Sequence, residues 1–177
     1  TDNEHQALTY YRIGVLQQAD QPNETISVFQ KYLNTKDKTY ATEVLYRLGY
    51  LYIETNHQKK AIQTFEKYLS MKDKTYRAEV HYRLGNLFIE TKQHKKSIQI
   101  FEKYLNMNDK TYTAEVYYRL GYLFIESKQQ KKAIQIFEKY LTTNNKTYIA
   151  EVHYRLGYLY IETKHRNKAI KTFEKYL

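Results

Sequence analysis

The feature that most constrains this chain is an internal repeat of 36 residues. The tripeptide Lys-Thr-Tyr begins at Lys38, Lys74, Lys110 and Lys146, each 36 residues after the one before. The stretches 74–109 and 110–145 are identical at 27 of 36 positions. A fixed period in this range indicates stacked structural repeats rather than one globular core. We divide the chain into five repeats, 3–37, 38–73, 74–109, 110–145 and 146–177, and expect residues 1–177 to form a single solenoid.

Each repeat has the apolar pattern of two helices. In the second repeat, Val44, Leu48 and Leu51 follow the spacing of one helical face, which predicts a first helix over 41–55. The stretch 58–69 repeats this pattern and predicts a second helix after a short polar turn. The chain is therefore predicted to be all-α, with about ten helices. Asp37 or Thr39 is expected to cap the first helix, because either side-chain oxygen can accept from a free N–H.

The five glycines of the chain all fall inside predicted first helices, at Gly14, Gly49, Gly85, Gly121 and Gly157. Glycine inside a helix costs about 1 kcal/mol relative to alanine. Its recurrence predicts a point where two helices pack too closely for a side chain. A small residue twelve positions later, Ala61 in the second repeat, is expected on the facing helix.

The set Leu48-Gly49, Tyr52, Ala61 and Phe65, which recurs in repeats three to five, resembles the tetratricopeptide repeat. That family has a period of about 34 residues, and the 36-residue period resembles a longer-link variant common in bacterial envelope-associated members. The resemblance implies a right-handed α-solenoid. Two departures stand out: the family's proline is missing from the link, which predicts a less rigid link, and its tryptophan is missing. The tryptophan position is occupied by Leu45, His81, Tyr117 and His153.

The resemblance also implies that the first helices line a concave groove. The groove positions carried over from the family are Tyr46, Tyr50, Glu54, Tyr82, Asn86, Glu90, Tyr118, Tyr122, Glu126, Tyr154, Tyr158 and Glu162, with Ile53, Ile89, Ile125 and Ile161 beside these glutamates and Glu43, Glu79, Glu115 and Glu151 one turn earlier. Tyrosine suits a binding surface because it offers a large rigid area and one hydroxyl. The alternative is that some of these tyrosines only pack between neighbouring repeats. The lysine and asparagine pattern that clamps an acidic peptide C-terminus is replaced by tyrosine and glutamate, so that ligand is not expected.

Nothing in the sequence has the pattern of a catalytic or metal site. The absence of cysteine excludes disulfides, a thiol nucleophile and zinc fingers. No phosphate-binding loop, dinucleotide fingerprint or zinc-protease motif occurs, and the six histidines lack ligand spacing. Glu43 lies four residues before Arg47, a spacing that favours an ion pair on one helix face, and this pair recurs in every later repeat. We predict a protein that is not an enzyme and needs no cofactor or metal.

The net charge of +10 first suggests a polyanionic partner. The lysines, however, concentrate in the second helices and links, whereas the groove positions are acidic. Aromatic stacking and phosphate contacts would then fall on different faces, so nucleic acid is a weaker alternative to simple solubility. No apolar run is long enough to span a membrane, and the chain does not begin like a secretory signal. The sequence does not choose between a cytoplasmic location and a location in a bacterial envelope or outside the cell.

Two functions fit these patterns. The first is a protein-interaction scaffold that binds a partner segment in the tyrosine-rich groove. The second is a structural protein whose copies stack head to tail into filaments. The uncapped end of a solenoid exposes apolar surface, and a head-to-tail contact that does not close into a ring extends into a filament. The first repeat is polar, like a capping repeat, whereas the fifth repeat has the pattern of an internal one. We therefore expect either that the native chain continues past Leu177 or that another copy stacks on this end. The expected stacking surface consists of Ile170, Phe173, Tyr176 and Leu177.

Overall fold

The computed structural model describes residues 2–72 and 75–175. All regular structure in these ranges is helical, which confirms the all-α class. The ten helices are α1 Asp2–Gln17, α2 Pro22–Asn34, α3 Ala41–Glu54, α4 Gln58–Ser70, α5 Arg77–Glu90, α6 His94–Leu105, α7 Thr113–Glu126, α8 Gln130–Leu141, α9 Ile149–Glu162 and α10 Arg166–Glu174. The helices predicted over 41–55 and 58–69 match α3 and α4 to within one residue. Within the described residues, no helix is both long and apolar enough to cross a membrane.

The helices fall into two compact units, Thr1–Gln93 and His94–Leu177. In the first unit, α1 packs on α2, α2 on α3, α3 on α4 and α4 on α5. In the second unit, α6 packs on α7, α7 on α8, α8 on α9 and α9 on α10. Each helix thus packs mainly on its neighbours in the chain, as expected of stacked helical repeats. A single solenoid over residues 1–177 stays a prediction.

A phenylalanine ring lying against the glycine of the same repeat forms the centre of the helix pairs. Phe65 and Phe137 are fully buried in α4 and α8. A Cβ atom added to Gly49 would lie 2.3 Å from Cε1 of Phe65, and one added to Gly121 would lie 2.2 Å from Cε1 of Phe137. Carbon atoms do not approach so closely, so only glycine leaves room for the ring. The predicted close packing is confirmed, and the ring sixteen residues later is what fills the space.

The turn between the two helices of a repeat uses one residue in the left-handed region. In the second repeat this is Asn56, with φ of 58°. The N–H of Asn56 donates to the Ile53 carbonyl at 3.0 Å, and that of His57 donates to the Tyr52 carbonyl at 2.7 Å. This pattern pairs the last carbonyls of α3 and ends the helix. The same turn position is held by Lys92, Lys128 and Lys164.

The links between repeats are held by a buried tyrosine of the second helix. The Tyr32 hydroxyl accepts from the Tyr40 N–H at 2.7 Å, and the Tyr140 hydroxyl accepts from the Tyr148 N–H at 2.8 Å. The same bond recurs between Tyr68 and Tyr76 and between Tyr104 and Tyr112. All four accepting tyrosines are fully buried. Each link is therefore fixed at the start of the next helix by a hydrogen bond that proline could not make, because proline has no N–H.

The expected helix cap at Asp37 or Thr39 is wrong. The residue preceding α3 is Tyr40, and its side chain makes no capping bond. Asp37 instead accepts from the Thr39 N–H at 2.8 Å and from the Thr39 hydroxyl at 2.6 Å, so it closes a turn inside the link. These bonds hold the pKa of Asp37 below its ordinary value. The reason is position: the link places the Asp37 carboxylate before the helix, and the buried Tyr32 hydroxyl fixes the N–H of Tyr40.

We expect Gly121→Ala to destabilise the protein. The added methyl group meets the Phe137 ring, and such overpacking costs about 1–3 kcal/mol, which outweighs the gain of about 1 kcal/mol in helix propensity. The free energy of unfolding, measured by urea denaturation, should fall. Gln135→Ala at an exposed position of α8 is the control and should change it by about 0.5 kcal/mol or less. A Gly121→Ala protein more stable than the parent would contradict the packing described above.

Candidate interaction surface of the first helices

The tyrosines predicted to line the groove lie on α3, α5, α7 and α9. In each of these helices they stand three residues before the glycine, one residue after it, or at both positions. Positions four apart lie on the same helix face. The ring centroids of Tyr46 and Tyr50 are 5.0 Å apart, and those of Tyr118 and Tyr122 are also 5.0 Å apart. The structure therefore brings each pair together as the sequence predicts.

In the first unit, the hydroxyls of one such pair are bonded to the next repeat. The Tyr46 hydroxyl donates to Oε2 of Glu79 at 3.0 Å, and the Tyr50 hydroxyl donates to Oε1. Arg83 Nε donates to the Tyr50 hydroxyl at 2.9 Å and its guanidinium lies 3.7 Å from the Glu79 carboxylate. We call this arrangement the tyrosine–glutamate junction: two phenols of one repeat, and a glutamate with an arginine four residues later in the next.

The second unit contains a junction of the same kind, in which one phenol is bonded to the glutamate of the next repeat. The Tyr122 hydroxyl donates to Oε1 of Glu151, and Arg155 Nε lies 3.0 Å from that hydroxyl and 2.8 Å from Glu151. A reduced version joins the first two repeats, where Tyr11 donates to Glu43 at 2.9 Å. The predicted pairing of each glutamate with the arginine four residues later is present. In the junctions, the glutamate also accepts a hydrogen bond from a tyrosine of the preceding repeat.

The first tyrosine of two of these pairs also stacks on a link tyrosine. Tyr46 stacks on Tyr76 with centroids 4.1 Å apart, and Tyr118 stacks on Tyr148 with centroids 4.0 Å apart. Such ring pairs contribute about 0.5–1.5 kcal/mol beyond the area they bury. These tyrosines thus pack between neighbouring repeats, which was the alternative to a binding role.

The junctions change the acidity of their members. Burial, followed by the hydrogen bond to Glu79, raises the pKa of Tyr46 to about 12. Burial and a glutamate partner also raise the pKa of Tyr50 and of Tyr122. The Tyr122 hydrogen bond and Arg155 hold the pKa of Glu151 below its ordinary value. The neutral phenols of Tyr46, Tyr50 and Tyr122 and the charged form of Glu151 are therefore favoured near neutral pH.

The third repeat departs from the pattern, because Asn86 stands where the second and fourth repeats have Tyr50 and Tyr122. Asn86 is half-buried and its Oδ1 has no hydrogen-bond partner. The Arg83 guanidinium lies 5.5 Å from the centre of the Tyr82 ring. In the second unit, Arg119 pairs with Glu115 at 2.7 Å, but its Nε has no partner.

The glutamates at the ends of the first helices remain exposed. Glu54, Glu90, Glu126 and Glu162 all face solvent. Glu90 accepts from Gln58 at 3.1 Å, and Glu126 lies 3.0 Å from Nδ1 of His94. The role of His94 was missed from the sequence, because its carboxylate partner is 32 residues away on another helix. Gln58 and Glu90 are also 32 residues apart. A comparison of equivalent positions in neighbouring repeats would therefore have indicated the contact between His94 and Glu126.

The fifth repeat has the most exposed tyrosine pair. Tyr158 is 48% exposed and Ile161 is 54% exposed. Of the expected stacking surface, Ile170 is 48% exposed, whereas Phe173 is half-buried with its ring centre 5.5 Å from that of Tyr158. Tyr176 and Leu177 lie outside the described residues.

The lysines near the starts of the second helices lie over aromatic rings of their own repeat. Nζ of Lys60 is 5.6 Å from the centre of the Tyr52 ring, and Nζ of Lys132 is 5.4 Å from that of Phe124. Lys168 lies similarly over Tyr160 at 5.3 Å. A cation over an aromatic face is stabilised by about 0.5–1 kcal/mol at exposed sites. This contact compensates for the unfavourable position of a lysine at a helix start.

Metal ligands are not gathered anywhere in residues 2–72 and 75–175, where no group of three or more His, Cys, Asp or Glu residues could hold an ion. His81 and His153, at the position of the family's tryptophan, are buried. Nδ1 of His81 lies 2.7 Å from the Arg77 carbonyl. Burial lowers the pKa of His153, so its neutral form is favoured inside the helix pair.

A tetratricopeptide repeat model matches residues 42–75, 78–111, 114–147 and 150–177. The chain belongs to the tetratricopeptide repeat family. The match leaves out the first repeat, which is the most divergent one in sequence. No curated protein sequence matches the chain significantly.

Solved structures share the fold of this tetratricopeptide repeat protein. A crystal structure of MamA aligns with a TM-score of 0.76 and 24% identity over 98% of this chain and 91% of MamA. MamA from Desulfovibrio magneticus RS-1 gives 0.70 and 20% identity over 97% and 93% of the two chains. YrrB, described as a tetratricopeptide protein with an unusual peptide-binding site, gives 0.73 and 20% identity over 96% and 84%. These likenesses establish the fold.

The junction makes stability sensitive to alkaline pH. Since the pKa of Tyr46 is raised from 10.0 to about 12, its neutral form stabilises the fold below pH 10, and this contribution is lost as pH rises toward 12. We expect Tyr46→Phe to have a lower melting temperature than the parent at pH 8. Between pH 10 and 12, the difference in melting temperature between the two proteins should become smaller. Tyr10→Phe, outside the junctions, is the control. Equal pH profiles for the two variants would argue against the junction.

Proposed function

We propose that this protein is a non-catalytic interaction scaffold whose first helices bind an extended polypeptide segment with basic and apolar side chains. The observation that carries the proposal is a pair of neighbouring residues, an isoleucine followed by an exposed glutamate, at the end of four first helices. The pairs are Ile53–Glu54, Ile89–Glu90, Ile125–Glu126 and Ile161–Glu162. Two pairs lie in each compact unit.

The isoleucines supply apolar area at these positions. Ile161 is 54% exposed, and Ile53, Ile89 and Ile125 are half-buried. Burying such area against a partner contributes about 25 cal/mol per Å². A repeating aliphatic side chain next to a polar one suits an extended segment, whose side chains alternate between two faces.

The charge of this surface follows from the junctions. Four arginines of the first helices, Arg47, Arg83, Arg119 and Arg155, are paired with the glutamate four residues before them. The distances are 2.7 Å for Arg47 and Glu43 and 2.8 Å for Arg155 and Glu151. Those pairs neutralise each other, whereas Glu54 and Glu162 face solvent. The surface at the helix ends is therefore acidic, and charge complementarity favours a basic partner. The hydroxyls of Tyr46, Tyr50 and Tyr122 are already bonded, so these residues offer ring faces only.

The comparisons support this proposal at the level of the fold. The same repeat arrangement carries a peptide-binding site in YrrB. Fold alone does not specify a ligand, so the choice of a basic segment rests on the residues of this chain. The lysines of the second helices give a weaker alternative, an acidic surface or nucleic acid bound on that side of the helix pairs.

The test uses a labelled 14-residue peptide in which lysine alternates with leucine. We expect it to bind the full chain in fluorescence anisotropy, and an otherwise equal peptide with glutamate in place of lysine to bind much more weakly. Reversing the charge at Glu54→Lys and Glu90→Lys together should weaken binding about tenfold, since each exposed charge contributes up to about 1 kcal/mol.

The matched control is Glu66→Lys with Glu102→Lys, two exposed glutamates of the second helices. This variant changes the net charge by the same amount and should bind the lysine peptide as the parent does. Equal loss in both double variants would mean that the peptide senses net charge and not the first-helix surface.

Self-association is the second candidate function, favoured by exposed apolar side chains in the first and fifth repeats. Leu16 is 80% exposed and Ile170 is 48% exposed. If these residues join copies head to tail, sedimentation velocity should show mass growing with concentration, and Leu16→Glu with Ile170→Glu should abolish the growth. A monomer at every concentration up to the millimolar range would exclude this candidate.

A further inference from the structure

The turns between the two helices of the fourth and fifth repeats place lysine where the local backbone disfavours it. Lys128 and Lys164 lie in the left-handed region, with φ of 57° and 63°. Glycine and asparagine adopt this conformation at the lowest cost, and the second repeat has Asn56 at the same turn position. Both lysines are exposed, so packing does not explain them. A residue held in an unfavourable conformation points to a role of its side chain beyond forming the turn.

The first turns of α8 and α10 add further basic residues against the helix dipole. The dipole favours acidic residues at a helix start, but neither helix has one there. Lys132 and Lys168 gain from the aromatic rings beneath them. Lys131 and Arg166 contact neither a carboxylate nor a ring within the part of the chain that the structure describes. Local helix stability therefore does not account for their charge.

These residues lie along one edge of the second compact unit. Nδ1 of His94, at the start of α6, is 3.0 Å from Glu126 at the end of α7, so Lys95 lies beside the turn at Lys128. Because α8 packs on α9 as α6 packs on α7, the turn at Lys164 is expected next along the same edge. We call this the basic edge: Lys95, Lys96, Lys128, Lys131, Lys132, Lys164, Arg166 and Lys168.

The positive charge of the basic edge is not cancelled locally. Its eight basic residues stand beside two glutamates, Glu126 and Glu162, at the ends of α7 and α9. The fourth repeat is packed on both sides, by α6 and by α9, and Lys128 and Lys131 are exposed all the same. The exposure of this charge is thus a property of an internal repeat.

We propose that the basic edge docks the protein on the surface of an anionic lipid bilayer. Such a surface presents many negative headgroups in one plane, and it attracts clusters of about four to eight lysines or arginines nearly additively. The basic edge has this number. Its similar clusters at successive turns suit a surface on which every position carries the same charge.

The composition of the edge favours lipid over other polyanions. Phe124 and Tyr160, the rings beneath the lysines, are 3% and 5% exposed, so they cannot stack on a nucleic-acid base. Seven of the eight basic residues are lysine, whereas arginine is the residue whose planar group holds a nucleic-acid phosphate with two bonds. The stretches 128–132 and 164–168 contain no apolar or aromatic residue that could anchor a protein interface.

The test is flotation of the full chain with lipid vesicles on a density gradient. We expect the protein to float with phosphatidylcholine vesicles that contain about 30% phosphatidylglycerol, and not with pure phosphatidylcholine. Binding should be lost between about 0.1 and 1 M salt, where the Debye length falls from about 10 Å to about 3 Å. This inference does not depend on the proposed function, because it rests on the turn lysines and not on the isoleucine–glutamate pairs.

The decisive variant is Lys128→Gly with Lys164→Gly. It should bind the anionic vesicles at least about tenfold more weakly, since each removed charge weakens binding about fivefold. Its melting temperature should rise, because glycine suits the left-handed region, so the loss cannot come from unfolding. A second variant, Lys131→Gln with Arg166→Gln, should also weaken binding and leaves the turns unaltered.

The matched control is Lys103→Gln with Lys139→Gln, two exposed lysines in the last turns of α6 and α8. It changes the net charge by the same amount and should weaken vesicle binding less than about twofold. Absence of binding to the anionic vesicles, or equal loss in the control and the glycine variant, would overturn the proposal. Tighter binding to duplex DNA than to vesicles, lost in the glycine variant, would also overturn it. The glycine variant should still bind the lysine–leucine peptide, so failure of this inference and failure of the proposed function are distinguishable.

Discussion

The contact on which the rest of the structure depends is the phenylalanine ring that lies against a glycine of the first helix. With Phe65 and Phe137 fully buried, the backbone of one helix approaches the ring of the other more closely than any side chain would permit. The ring then supports the tyrosine next to the glycine, since Tyr50 and Tyr122 each lean edge-on against it at 5.9 Å. Close packing within one repeat therefore positions the phenols that contact the next repeat.

The many tyrosines divide into groups with different roles. Tyr32, Tyr68, Tyr104 and Tyr140 are buried in the second helices and accept from the N–H that precedes the next helix. Tyr11, Tyr46, Tyr50 and Tyr122 of the first helices donate to the glutamate of the following repeat, and Tyr46 and Tyr118 stack on a link tyrosine. A phenol suits all these tasks, because its ring packs like an apolar side chain while its hydroxyl satisfies a polar group at the edge. The abundance of tyrosine therefore reflects the joining of repeats more than ligand binding.

The charged side chains also fall into groups with different contacts. Four arginines of the first helices pair with the glutamate four residues before them. The glutamates at the ends of α3, α5, α7 and α9 face solvent. Three lysines of the second helices, Lys60, Lys132 and Lys168, lie over aromatic rings of their own repeat. A net charge of +10 thus coexists with a locally acidic surface, and the local surface is what a partner meets at contact distance.

The sequence by itself determined the helices, the family and the close contact at glycine. Apolar periodicity and a glycine inside a helix are local signals, and their repetition strengthens them. The spacing of four residues also predicted that Tyr46 and Tyr50 lie on one face of α3. The sequence could not tell that the Glu79 carboxylate would bind these tyrosines, that His94 would meet Glu126, or that Asp37 would close the link instead of capping α3. Those partners are 29 to 33 residues apart or depend on the path of the link. Only the tertiary structure decided which hydroxyls are bonded within the chain, since that depends on how far one repeat is displaced from the next.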